Sequence, residues 1–230
     1  MLALSYDPKT KLWVLGALSE KCSYRIIFCI QKAHQNNMCV YFPTTWLLYR
    51  LTLPDLTPER WHLIVKYKTS FYSFYLSVAF AMTLAGVTDQ DAYNAARNIL
   101  IEMGVYFQAQ DDFLDCYATP EVLGKVGTDI ADKKCGWLFT KAYHELANEE
   151  QKSYLDTHYG NCTVGSPEEV KIKELYTELG LKELYARYEQ DSYDKIMAMK
   201  GSEAGETLRN AGVPWIVFEK FLAKVYKRSH

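Results

Sequence analysis

Three carboxylates, Asp111, Asp112 and Asp115, stand close together in residues 106–115 (YFQAQDDFLD), a run otherwise patterned as a buried helix. Charges are costly in such a place unless something pairs with them. On a helical wheel over residues 87–115, Gly104, Gln108, Asp111, Asp112 and Asp115 share one stripe. Ile99, Met103, Tyr106, Phe113 and Leu114 lie opposite. The pattern predicts one acidic and one apolar face, with Gln110 interrupting the latter. The plain alternative is an exposed helix with a solvated acidic side. Against it, three like charges within two turns, with no Lys or Arg at i+4, repel one another. Carboxylates grouped this way suit a hard divalent cation, and Mg²⁺ rides on one or two carboxylates plus substrate phosphates. By itself D-D-x-x-D is not a specific motif.

The flanks add cations. Lys68 sits among Trp61, Ile64, Val65, Phe71, Tyr72 and Tyr75, where it can snorkel or face a polar cavity. Behind the aspartates, "GKVGTDIADKKC" carries Lys125, Asp129 and Lys134. Lysines beside a Mg²⁺ site are what a diphosphate needs. Any one of them alone reads as a solvated surface charge.

The elements that must position these residues read as helices. Thr57-Pro58-Glu59 offers a hydroxyl cap, proline at the first position and an acid near the positive end, for a helix reaching Gly86. Thr88-x-x-Asp91 resembles a capping box opening the aspartate helix. A loop covers "YATPEVLGKVGTD", and a helix follows over about residues 135–148. Ser166-Pro167-Glu168-Glu169 caps another, and residues 181–199 and 213–228 complete a bundle. No strand alternation or internal repeat stands out. Residues 1–50 are apolar in patches without a clean period.

The 230 residues suffice for one domain with a real core, or at most two small ones. A net charge of −2 argues against a nucleic-acid binder or a polybasic membrane binder. Only 12 glycines and 7 prolines, with long periodic stretches, favour an all-helical protein. The six cysteines, Cys22, Cys29, Cys39, Cys116, Cys135 and Cys162, form no C-x-x-C pair, which argues against zinc and for a reduced, cytosolic compartment. Residues 71–87 are apolar for almost the length of a membrane span, yet carry tyrosines and hydroxyls, and are expected as a buried bundle helix. Asp7-Pro8-Lys9 breaks any signal-peptide pattern. Six Lys/Arg against two Asp/Glu over residues 1–54 give a slight transit-peptide character.

"IVKYKTSFYSFYL", "YFQAQDDFLD", "LGKVGTDIADKKCGWL", "YEQDSYDKIMAM" and the terminal "VYKRSH" together resemble the C-terminal half of the farnesyl diphosphate synthases, trans-isoprenyl diphosphate synthases of the polyprenyl synthetase family. The resemblance covers about residues 51–230. It implies an all-α isoprenoid-synthase bundle around a deep central cavity and a Mg²⁺-dependent joining of isopentenyl diphosphate to an allylic diphosphate (dimethylallyl or geranyl). It also implies that Asp111, Asp112 and Asp115 are the second aspartate motif, holding metal. Lys68, Thr69 and Gln108 would stabilise the carbocation, and Lys125 and Lys134 would grip the leaving diphosphate. Asp129 would support that shell, and Lys227 and Arg228 would close over the second substrate's diphosphate.

The departure lies in residues 1–50. Asp7 and Glu20 are the only acids before Asp55, so nothing there matches the family's first aspartate motif with its paired arginines. The glycine-glycine-lysine element for isopentenyl diphosphate and the aromatic residues that set product length are missing too. The expected organisation is an unmatched segment, 1–50, and a C-terminal synthetase portion, 51–230, incomplete at its N-terminus. Expected partners are the two diphosphates and, for a family that usually dimerises, a second copy or a complete synthase. The rival is a non-catalytic binding or regulatory partner of such a synthase. The expected setting is cytoplasmic, with no membrane span.

Overall fold

The structure, a computed structural model, describes residues 51–226 and two short strands near the start, 4–7 and 12–15. From Leu51 onward the elements are helical, as expected. Thr57 caps helix α1 (Pro58–Val65), its hydroxyl accepting from Arg60 N at 3.2 Å. The chain runs without a break into a π-helical segment, Lys66–Tyr75, and then α2 (Leu76–Leu84). Gly86, at φ +79, ends the run in the left-handed region that glycine enters without strain. The apolar stretch is half-buried, with Phe74, Val78 and Met82 forming the inward face at i, i+4 and i+8. Among the described residues no helix is long and apolar enough to cross a membrane.

Helix α3 (Gln90–Tyr117) is the centre of the bundle. Its cap is Asp89 rather than Thr88: the Asp89 carboxylate reaches Asp91 N at 2.9 Å, so the acid one position later supplies the acceptor. The expected split into acidic and apolar faces is not how α3 packs. Gly104, Asp112 and Asp115 on one side and Ile99, Met103 and Tyr106 on the other are all buried, whereas Phe113 and Leu114 are only half-buried. An axial helix has neighbours all round, which excludes a solvated acidic side. Ion pairs from outside the helix replace the missing i+4 partners.

The chain continues through α4 (Pro120–Leu123), a single turn inside the expected loop, to α5 (Trp137–Lys141) with a π turn at Ala142–Leu146. Next comes α6 (Glu149–His158), which the sequence reading missed although Asn148 and Gln151 form a capping box at its start. Ser166 caps α7 (Pro167–Glu178) as expected, and α8 (Leu181–Ala198) follows its predicted limits closely. A second unforeseen helix, α9 (Glu203–Asn210), precedes α10 (Ile216–Val225).

Two apolar clusters sit along α3. One surrounds its N-terminal half with Phe74, Val78, Ile196, Phe218 and Leu222. The other lies toward its C-terminal end with Leu56, Trp61, Trp137, Phe139, Tyr176 and Tyr185. The aspartates therefore stand at the end of α3 that the second cluster encloses. Near the start of the chain, β1 (Leu4–Asp7) pairs antiparallel with β2 (Leu12–Leu15), Leu4 opposite Leu15 and Asp7 opposite Leu12. The sequence reading expected no strand.

Candidate functional site

Asp112 is 3% exposed, and both its oxygens are held. Oδ2 accepts from Trp61 Nε1 of α1 at 2.9 Å and from the Trp137 backbone N, at the start of α5, at 2.8 Å. Oδ1 accepts from Gln108 Nε2 at 3.0 Å and lies 3.3 Å from Lys134 Nζ. One carboxylate thus joins three helices and the lysine loop. A buried tryptophan N–H needs an acceptor, and the first amide of a helix favours an anion, so each partner gains by the contact.

Asp115, 5% exposed, ties down the loop from the other side. Its Oδ1 accepts from the Asp129 backbone N at 3.0 Å, and its Oδ2 lies 3.6 Å from Lys125 Nζ. Gly127 packs so tightly on the Asp115 carbonyl oxygen that a Cβ there would collide with it. Lys134 Nζ donates to Asp129 Oδ2 at 2.7 Å. Burial pushes the Asp129 carboxyl up to about 7, the Asp112 and Asp115 carboxylates add to the rise, and Lys134 opposes it. Burial would draw the Lys134 ammonium down, but Asp112 and Asp129 outweigh it and leave it raised and charged. The backbone bends sharply beside it: Lys133 has φ 53, and its Nζ donates to Leu51 O at 2.7 Å. The lysine loop is thereby fastened to the start of the described bundle.

The third part is the π-helical segment. Thr69 donates from Oγ1 to Gln108 Oε1 at 2.8 Å, and Gln108 Nε2 donates to Asp111 Oδ2 at 3.2 Å as well as to Asp112. Threonine, glutamine and both aspartates form one chain of hydrogen bonds across two helices. Gly104 permits it, since a Cβ there would meet Ser70 Oγ and come within 2.5 Å of Ser70 Cα. Wide π turns recur at functional sites, where they re-aim side chains.

The structure therefore gathers Thr69, Gln108, Asp111, Asp112, Asp115, Lys125, Asp129 and Lys134 at one end of α3. Asp111 is the partly exposed member of the aspartate run, and Lys125 is well exposed. Lys68 is exposed on the segment that carries Thr69, and among the described residues no ion pair or hydrogen bond links it to the gathered group. Lys227 and Arg228 lie outside the described residues. Sequence reasoning missed the anchors: Trp61 as an Asp112 partner, the Trp137 amide, Gly127 and Tyr159, whose hydroxyl donates to Lys134 O at 2.7 Å. Only Trp61 left a signal, because a tryptophan placed inward requires an acceptor.

The donor atoms are of the type that Mg²⁺ takes. Three carboxylates, Asp112, Asp115 and Asp129, face two lysines, and Asp111 stands beside them on Gln108, an acidic excess made of oxygen ligands, which a hard divalent cation matches. Among the described residues no three acidic, histidine or cysteine side chains are grouped so as to hold a metal ion together.

The farnesyl pyrophosphate synthase of Panax ginseng is 48% identical over 166 residues, covering 72% of this chain and 46% of that protein. The farnesyl pyrophosphate synthase of Saccharomyces cerevisiae is 41% identical over 223 residues, covering 88% of this chain and 61% of that protein. That share exceeds residues 51–230, so the likeness extends upstream of Leu51. Among solved structures, T. brucei farnesyl diphosphate synthase complexed with minodronate matches with a TM-score of 0.70 at 26% identity, covering 91% of this chain and 57% of that one. The same synthase complexed with risedronate gives 0.65 at 31%, covering 76% and 47%. The chain spans about half the length of the curated relatives it matches. The family sequence model for Polyprenyl synthetase matches residues 48–179, more than half the chain and the whole stretch from Lys68 to Lys134, and so this chain belongs to the polyprenyl synthetase family.

Proposed function

We propose that this chain carries the diphosphate-binding wall of a farnesyl diphosphate synthase-type prenyltransferase, which joins isopentenyl diphosphate head-to-tail to dimethylallyl or geranyl diphosphate in isoprenoid biosynthesis. The observation that carries the reading is the alternation of charge at the end of α3, with Lys134 2.7 Å from Asp129 and 3.3 Å from Asp112, and Lys125 3.6 Å from Asp115. Asp112 and Asp129 hold Lys134 charged, and both lysines can turn from their carboxylates to a phosphate. Asp111, on the rim, would meet Mg²⁺ directly, with Asp112 and Asp115 fixing the helix end behind it. When bound, Mg²⁺ supplies Lewis-acid stabilisation of the charge that develops on the departing diphosphate. Lys125 and Lys134 would grip the same leaving group. Thr69 and Gln108, locked to each other, would present oxygen dipoles to the carbocation, with Lys68 beside them. The tail residues Lys227 and Arg228 belong, on this reading, to the second substrate's diphosphate.

A complete site holds its metals from two walls. We assign the second wall to residues beyond the described bundle or to a partner synthetase chain, a second copy or a complete synthase. Cys116, Cys135 and Cys162 are free, which suits a cytosolic setting. One sequence observation favours a second reading, a non-catalytic diphosphate-binding partner: only Asp7 and Glu20 are acidic before Asp55.

Radiolabelled isopentenyl diphosphate separates the two. Losing one metal wall removes several kcal/mol of transition-state stabilisation, and each ~1.4 kcal/mol is tenfold in rate. The 230-residue chain alone is expected to turn over little or no geranyl diphosphate, and a version joined to a family-like N-terminal half is expected to regain turnover. No recovery in the joined protein would favour the non-catalytic reading. Robust Mg²⁺-dependent turnover by the chain alone would overturn the single-wall assignment.

A further inference from the structure

Tyr159, just past the end of α6, closes on the loop that carries Asp129 and Lys134. Its side chain is buried, 3% exposed, and its ring stacks on Phe139 with centroids 4.2 Å apart. Its hydroxyl donates to Lys134 O at 2.7 Å and stands 3.4 Å from Asp129 O. The next residue adds a second link, Gly160 N donating to Ile130 O at 2.9 Å. The end of α6 therefore grips the loop by its backbone at two points.

The gripped backbone belongs to the residues of the charged cluster. The turn closes on itself through Lys134 N and Asp129 O at 3.0 Å. From there Lys134 Nζ reaches Asp129 Oδ2 at 2.7 Å and Asp112 Oδ1 at 3.3 Å. A lysine stem is flexible, so the place of its ammonium depends on where its backbone is fixed. Packing alone does not account for the Tyr159 hydroxyl. Phe139, stacked on it and 1% exposed, fills the same core without one. A buried hydroxyl is costly unless it is hydrogen-bonded, and the Lys134 carbonyl is what this one meets.

We propose that Tyr159 is a positioning residue of the diphosphate site: its hydroxyl fixes the Lys134 backbone, so that the Lys134 ammonium stands between Asp112 and Asp129, within reach of a phosphate. The effect on diphosphate binding rests on the function proposed above, but the placing of Lys134 does not.

Tyr159→Phe keeps the ring and removes only the hydroxyl. Tyr143→Phe is the control. Tyr143 is buried beside the same Phe139, with ring centroids 5.2 Å apart, and its hydroxyl donates at 2.8 Å to Asp156 on α6 rather than to the loop. Nitrogen-15 NMR of the lysine side chains, with the Lys134 signal assigned by its loss in Lys134→Arg, reads the position directly. That signal should shift or broaden away in Tyr159→Phe and stay in place in Tyr143→Phe. Calorimetry with inorganic diphosphate and Mg²⁺ should show Tyr159→Phe binding about tenfold more weakly, the lower end of what outer-shell partners contribute, and Tyr143→Phe binding like the parent. A Lys134 signal absent from the parent or unmoved in Tyr159→Phe overturns the proposal. So does Tyr159→Phe with the parent's diphosphate affinity, or an equal loss in both variants, which would mark general loosening of the core. If the parent chain binds no diphosphate, the proposed function fails, while the Lys134 signal still decides the position.

Discussion

Trp61 Nε1 donates a 2.9 Å hydrogen bond to Asp112 Oδ2 across 51 positions of sequence, and the neighbouring Asp111 has no such burial. The two adjacent aspartates therefore do different work. Replacing Asp112 by alanine strands the Trp61 and Trp137 N–H groups and leaves Lys134 short of an anion. The expected loss is about 2–4 kcal/mol in urea unfolding followed by circular dichroism. Asp111→Ala should cost below about 1 kcal/mol, as for a partly exposed side chain. Equal losses in the two variants would contradict this division.

Gly104 lets the π-helical segment and α3 approach closely enough for Thr69 to reach Gln108. Gly104→Ala places a methyl against the Ser70 backbone, which cannot swing aside. Thermal unfolding should show about 1–3 kcal/mol of destabilisation, the usual range for overpacking. A variant as stable as the parent would show that the two helices have slack at this crossing.

Lys68 is exposed, so Lys68→Met should leave the unliganded melting temperature nearly unchanged. Stabilisation by geranyl diphosphate with Mg²⁺ should nonetheless shrink in the variant if the lysine meets the ligand. Equal stabilisation of both forms would remove Lys68 from the site.

Burial pushes the thiols of Cys116 and Cys135 up to about 12. Thiolate is the reactive form, so at pH 8 both stay almost wholly protonated while the chain is folded. Peptide mapping after iodoacetamide should find them unlabelled in the native chain and labelled in urea. Rapid native labelling of either would show that the aspartate end of α3 opens readily.

What the sequence revealed was local chemistry. Thr57-Pro58-Glu59 and Ser166-Pro167 cap helices through contacts within three residues, so type and spacing sufficed. The aspartate run and the lysine loop were visible for the same reason. The burial of Asp112 was not, because it depends on Trp61 and Trp137, brought in from far along the chain. The π-helical turns at Lys66–Tyr75 were hidden too, since no residue type in "KYKTSFYSFY" demands them. Helix α6 is polar over much of its surface, which weakened its periodic signal, and α9, at 8 residues, offers little more than two turns in which a period can be read. The likeness to the yeast relative reaches upstream of Leu51, into a stretch whose patchy hydrophobicity gave no readable period.

Calorimetric titration of inorganic diphosphate into the 230-residue chain, with and without Mg²⁺, tests the diphosphate wall itself. Mg²⁺ completed by phosphate oxygens should make binding metal-dependent, and Asp111→Asn should weaken it about tenfold or more while the fold survives. Diphosphate binding that is equally tight without Mg²⁺, or unchanged in Asp111→Asn, would contradict the assignment of this end of α3 as a metal-diphosphate site.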